Sequence, residues 1–75
     1  MKDMIIRLVS IDDVKNFVNT AVTSPCEIYL ISGRYIVDGK SIMGIFSLDL
    51  SQPLDLLAYT DDPAFAESMA PFAVE

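Results

Sequence analysis

The sequence predicts one small α+β domain, and three observations predict it. Segments rich in β-branched and aromatic residues alternate with segments whose apolar residues recur three and four places apart. Ser-Pro, Ser-Gly, Asp-Gly and Asp-Pro pairs punctuate them at short intervals. The chain has 75 residues and is 52% apolar, enough for one core and too apolar for a disordered tail. The expected order is β-α-β-β-α-β-α over a single domain, 1–75, with the strands in one antiparallel sheet and the helices on one of its faces.

Met4 to Val9 is short and β-rich and reads as the first strand. Ser10 then has the character of an N-cap, with Asp13 placed to complete a capping box. Ile11, Val14, Phe17, Val18 and Ala21 follow at helical spacing, so a helix is expected over about 11–23. Asp12 and Asp13 lie in its first turn, where the helix dipole favours negative charge. Ser24-Pro25 ends it. Cys26 to Ser32 reads as a second strand, with Ile28, Leu30 and Ser32 on one side and Glu27, Tyr29 and Ile31 on the other. Ser32-Gly33 marks a hairpin into a third strand, Arg34 to Val37, with Tyr29 and Tyr35 as a candidate cross-strand pair. Leu54 to Thr60 reads as the fourth strand. Asp62 caps and Pro63 opens a last helix over Ala64 to Ala70, with Phe65 and Met69 on one face.

The densest stretch is Lys40 to Leu50. Ser41 is placed to cap a helix of about two turns. Ile45 and Leu48 share one face, and Leu50 continues inward. Ile42, Met43 and Phe46 form a second apolar set at helical spacing. That set is either part of the core or an exposed patch suited to protein binding, with Met43 adding adaptability.

Composition narrows the function classes. There is no histidine and one cysteine, Cys26, so the usual zinc ligand sets are lacking, no metal or other cofactor is expected, and no internal disulfide can form. Cys26 lacks an activating histidine and reads as a small hydrophobe. The formal charge of −6 disfavours nucleic acid as a partner. No apolar run approaches the roughly 20 residues of a membrane span. The opening residues carry no long apolar segment of a signal peptide, so a cytoplasmic location is expected. The glycines at 33, 39 and 44 have no phosphate-loop spacing, and Asp61-Asp62 is accounted for by helix capping.

With Lys40-Ser41-Ile42-Met43-Gly44 opening its second helix, this order of elements resembles the HPr family, the small histidine phosphocarriers of the bacterial phosphoenolpyruvate–sugar phosphotransferase system. The likeness is closest over Lys40 to Leu50, Phe17 to Ala21 resembles the family's first helix, and the whole covers roughly residues 10–60. The resemblance implies an HPr-like open-faced β-sandwich: a four-stranded antiparallel sheet with three helices on one side. It also places the family's active-site motif at the start of the first helix. There Ser10 occupies the histidine position, Asp12 the arginine position and Asp13 the proline position, and the preceding loop is shorter. None of the phosphocarrier residues carries over.

Chemistry agrees. A phosphocarrier needs a nitrogen nucleophile whose phosphoramidate passes the group on, and a serine ester holds phosphate too stably for that. Two aspartates would replace the electropositive cradle such a site needs. No catalytic residue and no enzyme activity are therefore expected. In many HPr proteins the serine matching Ser41 is phosphorylated by a dedicated kinase, and the patch around it docks partners. The resemblance thus makes Ser41 a candidate phosphorylation switch, alongside its plain reading as a helix cap, and Lys40, Ile42, Met43 and Phe46 a candidate partner-binding surface. It implies protein partners: an HPr kinase, a transcriptional regulator or an enzyme of the phosphotransferase system. The expected state is a monomer or weak homo-oligomer. Two other readings stand beside this one: a degenerate paralogue that oligomerises or binds another partner through the patch, and a phosphocarrier with a substituted nucleophile.

Overall fold

Period-two alternation sorts the strand residues onto two faces, and one face is apolar enough to hold three helices. The computed structural model describes residues 1–74. Its elements are β1 Lys2–Ile6, α1 Ile11–Val22, β2 Ile28–Ser32, β3 Tyr35–Asp38, α2 Ile42–Phe46, β4 Leu54–Ala58 and α3 Pro63–Met69, followed by a 3₁₀ turn, Ala70–Phe72. All strand pairs are antiparallel, in the order β1-β4-β2-β3. The fold is the expected α+β, four-stranded open sheet with three helices.

The core lies between the sheet and the helices. Ile6, Ile28, Leu30, Leu54, Leu56 and Ala58 point inward from the strands and meet Val14, Phe17 and Ala21 of α1, Ile45 of α2, and Phe65 and Met69 of α3. Leu8 and Leu48 complete it from the connections. The rings of Phe17 and Phe72 meet edge to face, centroids 5.5 Å apart, which ties α1 to the 3₁₀ turn. Among the described residues no side-chain nitrogen or oxygen is buried without a partner.

Several boundaries move for identifiable reasons. β1 spans residues 2–6 rather than 4–9, because Lys2 and Asp3 pair with Ala58 and Leu57 despite their polarity. An edge strand tolerates such residues. β2 begins at Ile28, so Cys26 sits in the preceding bend, half-buried against the core, rather than opening a strand. β4 stops at Ala58. α3 starts on Pro63 itself and gives way after Met69 to the 3₁₀ turn that holds Pro71. α2 has 5 residues, shorter than the two turns expected. Ile11 is 62% exposed and not part of the core, whereas Val14, three residues on, is fully buried.

The tyrosine pair also differs. A two-residue turn, Gly33-Arg34, sets Tyr35 opposite Ser32 and Tyr29 opposite Asp38. Gly33 has φ +58°, the left-handed value that suits glycine at the first turn position. Tyr29 and Tyr35 therefore lie on opposite faces, and Tyr29 instead packs edge to face on Tyr59, centroids 5.9 Å apart.

Candidate functional site

Two helix starts decide what this molecule can do. The first is α1. Ser10 is extended (φ −122°, ψ 168°), and its hydroxyl accepts the Asp13 backbone N–H at 3.1 Å. The Asp13 carboxylate reaches back to accept the N–H of Ser10 at 3.4 Å and of Val9 at 3.0 Å. This capping box consumes backbone donors that a bound anion would otherwise use, and the group consuming them is itself negative. Asp12, next along the first turn, is exposed and adds further negative charge. Ser10 thus acts as a cap in a locally acidic setting.

Beside this helix, an open cleft of about 450 Å³ runs to the 3₁₀ turn and is lined by Arg7, Asp13, Asn16, Thr20 and Phe72 among others. Its cation, Arg7, was not singled out by sequence reasoning. Arg7 lies in the β1–α1 connection and Asn16 on α1, and no spacing signal joins them. Arg7 Nη2 lies 3.4 Å from the Ser51 carbonyl.

The second start is α2. Ser41 is also an extended cap (φ −103°, ψ 108°), and its Oγ accepts the Gly44 N–H at 3.2 Å. The Ser41 N–H donates to the Asp38 carbonyl at 3.0 Å. Gly44 is small for a reason, since a Cβ there would stand 3.2 Å from Ser41 Oγ and 3.4 Å from Val37 Cβ. Lys40 is half-buried. Its ammonium donates to the Ser24 carbonyl at 2.9 Å and its N–H to Asp38 Oδ1 at 2.9 Å. Its charge is thus spent pinning the start of α2 to the α1–β2 connection rather than projecting toward a partner.

The apolar set divides. Met43 is 76% exposed and Phe46 40% exposed, three residues apart on the outer surface of α2. Ile42 is half-buried and packs against the core, so it is not a free member of the patch. Ile45 is buried beneath them. Of the five sequence-selected residues here, Ser41, Met43 and Phe46 remain accessible to some degree, while Lys40 and Ile42 serve mainly to seat the helix.

Among the described residues no group of three His, Cys, Asp or Glu side chains could hold a metal, and no helix is long and apolar enough to cross a membrane. No family model matches this chain, and no curated protein does. Among solved structures it is similar to the crystal structure of HPr-C-His from Thermoanaerobacter tengcongensis. The TM-score is 0.80 at 28% sequence identity, over 95% of this chain and 89% of that one. The class that fold and comparison define is the HPr-like open-faced sandwich.

Proposed function

We propose that this chain is a non-catalytic relative of the phosphotransferase-system carriers. It works by docking a protein partner on α2, with Ser41 as the point of regulation. The observation that carries this reading is the contrast between the two helix starts. At α1, the Asp13 carboxylate takes the Val9 and Ser10 N–H groups, Ser10 takes the Asp13 N–H, and no histidine exists anywhere in the sequence to carry a phosphoryl group. At α2, Met43 and Phe46 stand exposed beside a serine cap. Apolar side chains flanking one adaptable methionine suit a protein surface better than a small-molecule site. The similarity to HPr-C-His supports the link to that system.

Phosphate on Ser41 would replace a neutral cap with a group of roughly −2 charge at the amino end of the helix. Lys40 would have to leave the Ser24 carbonyl to meet it, so modification would loosen the α1–β2 connection as well as recolour the patch.

The test is incubation with an HPr kinase and ATP, with the phosphate located by mass spectrometry. The expected result is one phosphate, on Ser41, absent in Ser41→Asn. Asparagine retains capping ability, so this variant removes the acceptor hydroxyl without removing the cap. A parallel incubation with phosphoenolpyruvate and the first enzyme of the system is expected to give no acid-labile label. No modification of Ser41 under conditions that label an ordinary HPr would overturn the switch, and an acid-labile label would overturn the non-carrier reading.

A further inference from the structure

The sheet has a second face, and no element among the described residues covers it. With Met4, Ile6, Ile28, Leu30, Val37, Leu54, Leu56 and Ala58 directed to the helices, the intervening strand residues point the other way. Register sets them in two rows. One runs Asp3, Leu57, Tyr29, Asp38 across the four strands, and the other runs Ile5, Asp55, Ile31, Ile36. Tyr59 joins the first row through its ring contact with Tyr29. The eight row positions hold five apolar or aromatic side chains and three aspartates, with no lysine or arginine.

The arrangement is specific. In the first row the aspartates occupy both edges of the sheet and the apolar pair lies between them. Ile5 is 49% exposed, Ile36 65% and Tyr59 47%. Glu27 adds a further acid beside Tyr59, to whose N–H its carbonyl is bonded at 3.0 Å. The Tyr29 hydroxyl lies among these groups. Glu27, then partial burial, Tyr59 and Asp38 together hold the Tyr29 hydroxyl above its ordinary pKa.

We propose that this face is a second docking surface, and that it takes a basic amphipathic helix of a partner protein, with its apolar stripe on Tyr29, Leu57, Ile31 and Ile36 and its lysines or arginines over Asp3, Asp38 and Asp55. Charge complementarity selects that occupant. A second copy of this chain would set acids against acids on a molecule of net charge −6, and nucleic acid or an anionic lipid surface would be repelled by the same residues. A helix, rather than a strand, fits because the backbone donors of the central strands are already used within the sheet. A four-strand row spans roughly 14 Å, close to the roughly 10–12 Å width of a helix with its side chains. The surface is distinct from α2 and does not depend on the α2 reading.

The probe is a synthetic helical peptide of about 18 residues, with leucines on one stripe and lysines flanking it. Its two controls replace each lysine by glutamate, or scramble the order to abolish the stripe. Backbone amide shifts of the ¹⁵N-labelled protein locate the contact. The lysine peptide is expected to move the amides of Tyr29, Ile31, Ile36 and Leu57, to lose affinity as salt rises, and to bind about tenfold more weakly to Asp55→Lys and to Asp38→Lys. Asp38 also accepts the Lys40 N–H, so Asp55→Lys, on another strand, is the independent variant. Four outcomes would overturn the proposal: shifts centred on Met43 and Phe46, equal binding of the glutamate peptide, equal binding of the scrambled peptide, or movement of the same amides on simple dilution, which would assign the face to a second copy.

Discussion

Gly39 shows how little room single residues have here. It is buried, its N–H donates to the Ile28 carbonyl at 2.8 Å, and a Cβ would stand 2.6 Å from Ile28 Cγ2. Gly39→Ala must push β2 away from the turn that leads to α2. The expected cost is about 1–3 kcal/mol, read as a lower urea midpoint at unchanged slope. Asp49 offers a test of a different kind. Its carboxylate accepts from the Ser51 hydroxyl at 2.6 Å and the Ser51 N–H at 3.0 Å, and these bonds hold its pKa below the usual carboxylate value. A depressed folded-state pKa means that the contribution is present above the ordinary carboxylate range and is lost as pH falls through the folded value. A ¹³C-carboxyl titration should show the low midpoint. Ser51→Ala should raise it only part of the way, because the backbone donor remains.

At the scale of elements, caps do more than propensity to hold the helices in place. Ser10→Ala removes one half of the α1 capping box and should destabilise the protein by about 1 kcal/mol. Ser41→Ala should cost a similar amount, and its effect should concentrate in α2, whose 5 residues cannot sustain a helix without tertiary support. Amide exchange that quickens at Ile45 and Phe46 before it quickens in α1 would verify this, whereas uniform quickening would refute it. Caps and turns were legible in the sequence because they act over three or four residues. Ser10 with Asp13, Asp62 with Pro63, and Ser32-Gly33 all carry their meaning locally. Pairing across the sheet was not legible in the same way. Tyr29 meets Tyr59 thirty positions away, and only the β2–β4 register brings them together. The division of the α2 set, with Ile42 partly buried against the core and Met43 exposed, was not legible for a related reason. A helix shorter than two turns has too few residues to reveal which of its sides the core will take. The two helix-start serines could be read as caps, but not the carboxylate of Asp13 turned back onto Val9.

For the whole molecule, margins are small. A 75-residue domain is stable by roughly 4–11 kcal/mol on the usual per-residue scale. Phe17 is fully buried and holds the ring of Phe72. Phe17→Ala should therefore cost about 3–5 kcal/mol and remove a large part of that margin, visible as a fall in the thermal midpoint by circular dichroism. The order β1-β4-β2-β3 has a consequence for how the chain is made. Of the two interior strands, β4, which joins β1 to the β2–β3 hairpin, is the last of the four to leave the ribosome. Until residue 58 has cleared the exit tunnel, β1 has no neighbour within the sheet and the β2–β3 hairpin has none beyond itself. Birth of the native sheet is thus postponed until β4 has emerged. A nascent chain halted before β4 would remain a substrate for chaperones and proteases, with its apolar strands open to either.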